Sequence, residues 1–126
     1  MSTTKEIGDL GEEAAVQYLK SRGYKILERN YKIKVGETLI GELDIISKRG
    51  RDLIFVEVKS RRDQNDHYSP FDNITAKKRK MLLRLARLYI KTKKIPLDSP
   101  YQIDVMAVEI NLDEKIKIEH LEKAIY

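Results

Sequence analysis

The stretch Leu53-Ile54-Phe55-Val56-Glu57-Val58-Lys59 combines an apolar strand with two charged residues. Its first four residues are hydrophobic on both faces, which is typical of a strand in the middle of a sheet. Glu57 and Lys59 follow two residues apart, so they share one face of that strand. A charge in such a place is expensive unless a partner or a ligand compensates it. A salt bridge, or a strand end that reaches water, would explain the tripeptide without any chemistry.

A second acid, Asp44, interrupts the preceding apolar segment, Leu43 to Ser47. The two segments flank residues 48–52, whose glycine indicates a β-hairpin. A loop of about four residues would place Asp44 nearly opposite Glu57. Two facing carboxylates repel each other unless a cation lies between them. Oxygen ligands without cysteine or a nearby histidine favour Mg²⁺ or Mn²⁺, and the carbonyl of Val58 would add a further oxygen.

The first predicted helix, Thr4 to Arg22, offers a third carboxylate. At about 100° per residue, Glu12 falls at the edge of the apolar face, whereas Glu13 falls on the opposite, hydrated side. The small residues Gly8 and Gly11 would let this helix approach the sheet closely. We therefore expect Glu12, rather than Glu13, to face inward, although an ordinary boundary carboxylate would produce the same pattern.

The remaining segments complete the order α-β-β-β-α-β-β. Strands are predicted where aromatic and β-branched residues concentrate or alternate. Outside the central pair of strands, Leu43–Ser47 and Leu53–Ser60, the predictions are a strand at Tyr24–Lys34, a loop at Gly36–Gly41, an irregular segment at Arg61–Pro70, a helix at Asp72–Thr92, and strands at Tyr101–Ile110 and Lys115–Leu121. The order favours an α/β fold with a central mixed β-sheet, flanked by helices on each side or on one side, in a single domain spanning residues 1–126.

Composition narrows the function classes. The chain has no cysteine, which excludes disulfides, thiolate metal sites and cysteine nucleophiles. Its apolar runs are too short to span a membrane, and residues 1–6 lack the apolar core of a signal peptide, so we expect a cytoplasmic protein. The net charge is +5. Residues 98–126 carry seven acids and three lysines, so residues 1–97 carry +9, which favours a polyanionic partner such as nucleic acid.

The second predicted helix carries its cations in one line. Between Asn73 and Leu97 there are nine Lys or Arg residues and no acid. A row of cations along a helix contacts DNA phosphates, and such contacts supply salt-dependent affinity without recognition of the base sequence. A basic helix that is merely exposed to solvent is the alternative. Arg61 and Arg62 would extend the positive surface toward Glu57. The basic stripe, at helical spacings of three and four, consists of Lys77, Lys80, Arg84, Arg87 and Lys91.

Three motifs, in this order, form a recognisable set: Gly8-Asp9-Leu10-Gly11-Glu12, Gly41-Glu42-Leu43-Asp44 and Phe55-Val56-Glu57-Val58-Lys59-Ser60-Arg61. The set resembles the bacterial YraN-like family over nearly the whole chain. That largely uncharacterised family is considered similar to archaeal Holliday-junction resolvases and to the restriction-endonuclease-like nucleases. The chain departs from the usual pattern at Leu43, where proline is frequent, and at Gln102, where arginine is usual.

The resemblance implies a restriction-endonuclease-like fold and a metal-dependent nuclease acting on structured or branched DNA in repair or recombination. Asp44 and Glu57 look like the acidic metal ligands, Lys59 like the catalytic lysine, and Glu12 like the helix carboxylate that joins the metal site. A lysine beside two carboxylates stays charged, which favours an electrostatic role for Lys59. Cutting a four-way junction needs two sites and hence a homodimer. The alternatives are a non-catalytic nucleic-acid-binding protein on the same fold, or a protein–protein adaptor docking through its acidic C-terminal strands.

Overall fold

The computed structural model describes residues 3–62, 74–113 and 115–126. Within them, two helices and five strands follow one another in the predicted order. No helix in these ranges is both long and apolar enough to cross a bilayer. The elements are α1 (Thr4–Ser21), β1 (Lys25–Val35), β2 (Thr38–Arg49), β3 (Asp52–Arg62), α2 (Ala76–Thr92), β4 (Tyr101–Ile110) and β5 (Ile116–Ile125).

The five strands form one mixed sheet in the order β1-β2-β3-β4-β5. β3 and β4 are parallel, as a crossover through α2 requires, and the other neighbours are antiparallel. Pairing of β2 with β3 stops at Ile45 opposite Val56, whereas β1 and β2 stay paired out to Val35 and Thr38. The sheet therefore opens into a fork beyond this point, between the β1–β2 hairpin and the second half of β3.

The two helices cover opposite faces of the sheet, which decides between the two predicted arrangements. Alternate residues of β3 point to opposite faces. Ile54 and Val56 pack in a core cluster with Ala15, Val16 and Leu19 of α1. Phe55 packs in the other cluster, which contains Leu82, Leu85 and Tyr89 of α2. Side chains of β3 that follow Phe55 at intervals of two therefore lie on the face of α2.

The predicted loop at Gly36–Gly41 is wrong, because the hairpin connection contains only Gly36 and Glu37. Gly36 adopts φ 61°, the left-handed region that a tight hairpin turn needs at its first position. Gly50, with φ 61°, plays the same part in the turn between β2 and β3. The apolar residues after Gly36 therefore join β2 instead of forming a loop.

The other boundary errors have local causes. Helix α2 begins at Ala76, not at Asp72, because the side chain of Thr75 caps its first turn by accepting from the backbone N–H of Lys78. Strand β5 runs to Ile125, past the predicted end at Leu121. Arg61 and Arg62 belong to β3 rather than to an irregular segment. The rest of that predicted segment, with His67 and Tyr68, lies outside the described residues.

Candidate functional site

Helix α1 reaches the fork because Gly11 lets it lie directly on β3. A Cβ atom at Gly11 would lie 1.7 Å from Ser60 Oγ and 2.6 Å from Ser60 Cβ. This close approach brings the next residue, Glu12, into a cleft of about 440 Å³ that Asp44 and Val58 also line. Glu12 is half-buried there, whereas Glu13 is exposed, as the helical phase predicts.

Asp44 lies at the base of the fork, where β2 leaves β3. Its Oδ2 accepts a hydrogen bond of 2.8 Å from the backbone N–H of Val58, replacing the backbone pairing that ends one residue earlier. The pKa of the Asp44 carboxyl is raised to about 7, first by burial and then by the nearby charges of Glu57 and Glu12, against the lowering by the Val58 hydrogen bond and by Lys78. Asp44 is therefore a carboxylate whose ionised form lacks adequate compensation.

The negative charge of ionised Glu12 is also poorly compensated. Burial raises its pKa, as do the neighbouring acids Glu42 and Asp9, while Arg29 lowers it. Its Oε1 is buried and accepts no hydrogen bond from any residue that the structure describes. A buried carboxylate oxygen without a donor is unfavourable unless a ligand satisfies it.

Asn30 reaches Glu12 from β1. It lies close enough to the Glu12 carboxyl to lower the pKa of that group. Its position in β1 lies between the pairs Arg29–Ile45 and Tyr31–Leu43, and hence opposite Asp44. Asn30 has φ 49°, a left-handed conformation that is costly in the middle of a strand. The strained residue thus adjoins two of the predicted site carboxylates.

Glu57 approaches the fork from the other face of the sheet. It is almost fully buried, and its Oε1 lies 3.2 Å from Nζ of Lys78 on α2. Strand alternation places Lys59, which is half-buried, on this same face. Asp44 and Glu57 lie next to the last paired residues of β2 and β3, so they are neighbours, as expected from the hairpin. However, Asp44 lines the cleft beside α1, whereas Glu57 is paired with Lys78 of α2.

The predicted metal ligands are therefore close to one another, but they do not form a preformed coordination site. Among the described residues, no group of three His, Cys, Asp or Glu side chains is arranged to hold a metal ion. The chemistry of the donors nevertheless fits a hard divalent cation, because Glu12, Asp44 and Glu57 are all carboxylates. The uncompensated Glu12 and Asp44 would gain from a positive charge at the fork.

The residues that are predicted to contact nucleic acid form two groups. Arg61 and Arg62 line the cleft. They are also tied to the neighbouring strand and its end: Arg61 pairs with Glu109 at 3.0 Å, and Arg62 donates to the carbonyl of Asn111 at 3.2 Å. All five residues of the basic stripe are exposed. Because the buried residues of α2 face the sheet, the stripe points away from it.

Sequence reasoning missed Asn30 and Lys78, and both had a signal. Asparagine is a poor strand former that tolerates left-handed φ, so its presence inside β1 marks an irregular position. Lys78 precedes Leu82 by four residues and Leu85 by seven, which places a lysine on the buried face of α2. A charge on that face needs a partner, and Glu57 supplies one.

Asp104 is fully buried, away from the fork, and its carboxylate is satisfied by hydrogen bonds. It accepts hydrogen bonds from Gln102 and from the backbone N–H of Lys123, both at 2.9 Å, and contacts His120 Nε2 at 2.8 Å. These contacts join β4 to β5 where their register shifts. His120 is part of this structural cluster.

Known proteins similar to the chain include two solved structures of low similarity. One is an FdxN element excision controlling factor protein from Anabaena variabilis, with 17% identity and a TM-score of 0.44, over 90% of this chain and 98% of that one. The other is SfsA from Pyrococcus furiosus in complex with Ca²⁺, with 17% identity and a TM-score of 0.41, over 98% of this chain and 65% of that one.

Sequence similarity to curated relatives is much stronger. A UPF0102 protein of Clostridioides difficile is 44% identical over 120 residues, covering 95% of this chain and 96% of its own. A UPF0102 protein of Dictyoglomus turgidum is 40% identical over 104 residues, covering 82% of each chain. The model of the uncharacterised protein family UPF0102 matches residues 11–108, which include Glu12, Asp44, Glu57 and Lys59. The chain therefore belongs to the UPF0102, or YraN-like, family.

Proposed function

We propose that this protein is a divalent-metal-dependent nuclease that hydrolyses phosphodiester bonds in structured or branched DNA. The observation that carries the proposal is Asp44. Asp44 is half-buried at the fork, near Glu12 and Glu57, and its carboxyl has a pKa raised to about 7. Clustered carboxylates that lack compensation, beside a basic surface, are expected where a cation and a polyanion bind together.

Glu12, Asp44 and Glu57 would hold Mg²⁺ or Mn²⁺, with the Val58 carbonyl as a further oxygen. When bound, such an ion activates a water molecule and stabilises negative charge on the phosphate. Lys59 shares the face of Glu57, and its ammonium would stabilise charge that develops on the phosphate. Arg61 and Arg62 at the cleft, together with the basic stripe, would bind the DNA backbone.

The test is a cleavage screen over single-stranded, duplex, flapped and four-way-junction DNA with Mg²⁺ or Mn²⁺. We expect wild type to cut at least one structured substrate, and Glu57→Ala and Lys59→Ala to lose at least about a hundredfold in rate, as removal of a charge-stabilising group does. Glu12→Ala should also lose activity, whereas its exposed neighbour, Glu13→Ala, should retain it. Equal cleavage by wild type and all the site variants would refute the assignment.

The ion pair between Glu57 and Lys78 favours a second candidate, a non-catalytic nucleic-acid-binding protein on the same fold. In that case the lysine neutralises Glu57 permanently and no metal binds. Calorimetry with Mn²⁺ on wild type and Asp44→Ala separates the two candidates. Binding that disappears in Asp44→Ala supports the nuclease, whereas salt-sensitive DNA binding without any metal binding supports the second candidate.

A further inference from the structure

We propose that the ammonium of Lys78 occupies the cation position of this site when no metal is bound, and that a divalent ion displaces it toward the substrate phosphate. The inference rests on the proposed function. It assigns to one residue two successive partners: a carboxylate in the resting protein and a phosphate in the loaded one.

In the resting protein, the positive charge of Lys78 lies beside the carboxylates of the fork. Its Nζ lies 3.2 Å from Glu57 Oε1, and the same charge lowers the pKa of Asp44. The ammonium is therefore close to carboxylates of both β2 and β3. Within the described part of the chain, Lys78 is the cation that forms an ion pair with Glu57. A positive charge at this place is what a bound metal ion would also supply.

A divalent ion can replace the ammonium of Lys78 next to Glu57. The side chain of Glu57 is 10% exposed, whereas that of Lys78 is 43% exposed. The lysine therefore reaches a buried acid from a position that is open to water, and its flexible stem can withdraw without disturbing the core. A divalent ion carries twice the charge and coordinates several oxygens at once, so it should replace a single ammonium.

Once released, the ammonium of Lys78 would lie at the start of α2, where a phosphate can bind. Lys78 lies in the first turn of α2, which contains no acidic residue. The unpaired amides of a helix start favour negative charge, and here they add to the charge of Lys78 itself. A DNA phosphate that approached Glu57 and Lys59 would meet this lysine once the metal had released it. Lys78 would then compensate the carboxylates first and the substrate afterwards.

The experiment uses Mn²⁺ as the probe and the full chain with Lys78→Met, Lys78→Arg and the exposed neighbour Arg79→Met. Calorimetry should give about tenfold tighter Mn²⁺ binding for Lys78→Met, since its competing cation is gone. The metal-free Lys78→Met protein should melt at a lower temperature, because Glu57 loses its partner. With saturating Mn²⁺, it should bind duplex DNA more weakly than wild type. Lys78→Arg and Arg79→Met should resemble wild type in all three measurements.

The outcomes separate this inference from the proposed function. If wild type binds no Mn²⁺, the proposed function fails and the inference fails with it. If wild type binds Mn²⁺ but Lys78→Met binds it equally or more weakly, the inference is overturned while the metal site stands. Should Lys78→Met not fold, Lys78→Gln is measured by the same criteria. Tighter Mn²⁺ binding together with weaker DNA binding is the pair of changes that supports the exchange.

Discussion

The Asp44 carboxyl has a pKa raised to about 7, chiefly by burial and by the charge of Glu57, whereas the same group ionises near 3.8 when it is not perturbed. Between these two values the folded protein holds a proton that the unfolded chain has lost. The free energy of unfolding therefore decreases as pH rises through this window. The stabilising contribution of the protonated group is complete below about pH 4 and is lost above about pH 7. Near neutral pH, ionisation of Asp44 thus lowers the stability of the fold.

Asp44→Asn should remove this pH dependence, because the amide carries no charge and its oxygen still accepts from Val58. We expect the variant without metal to be more stable than wild type at pH 8 by about 1–3 kcal/mol, with a smaller difference at pH 5. Urea unfolding in the presence of a chelator measures both values. Glu13→Gln is the control and should change stability by less than about 0.5 kcal/mol. Parallel pH profiles for wild type and Asp44→Asn would contradict the assignment.

Single residues of the site were predictable where a periodicity constrains them. The helical phase distinguished Glu12 from Glu13, and strand alternation placed Glu57 and Lys59 on one face. Asn30 depends instead on one unusual φ value inside β1. No periodicity reports such a value, and the pairs on both sides of Asn30 keep one register.

At the scale of the elements, the contact between α1 and β3 controls where Glu12 lies. Gly11 is buried against Ser60, and no side chain fits between them. Gly8, one turn earlier in the same helix, has no atom within 4 Å of where its Cβ would lie. Two glycines of one helix therefore have different roles: Gly11 permits the close contact, and Gly8 leaves open space.

Gly11→Ala should force α1 away from β3 and destabilise the protein by about 1–3 kcal/mol, which is typical of overpacking. It should also weaken Mn²⁺ binding, since Glu12 moves with the helix. Gly8→Ala is the matched control, and it should stabilise the protein by up to about 1 kcal/mol through helix propensity. Thermal unfolding and calorimetry measure the two effects. Equal stability of the two variants would mean that the contact with Ser60 relaxes without cost.

The elements themselves were largely predictable, because each carries its own pattern of apolar residues. The misread loop at Gly36–Gly41 shows what the pattern omits. A two-residue turn with glycine first continues the hairpin, and the sequence contains this turn at Gly36 and again at Gly50. The end of β2–β3 pairing at Ile45 was not predictable, since it depends on the Asp44 side chain taking the N–H of Val58.

Across the whole molecule, the site and the basic stripe are separated by helix α2. The sheet-facing side of α2 carries Lys78 over Glu57, and the outer side carries the stripe. The stripe comes close to the fork at the start of α2, where Lys77 is followed by Lys78, the partner of Glu57. The outer face of α2 would therefore supply affinity for DNA, whereas the fork would supply the chemistry.

Replacing Lys80, Arg84 and Arg87 by glutamine tests this separation. Each phosphate contact contributes about 0.9 to the slope of log K against log salt, so the slope should fall by about 2–3. The control is glutamine at Lys20, Lys115 and Lys117, exposed lysines outside α2, which changes the net charge equally. If the stripe binds DNA, only its own variant reduces the slope, and cleavage at saturating DNA keeps its rate because the fork is untouched. Equal slopes for the two triple variants would exclude the stripe as the DNA track, since net charge alone would then account for binding.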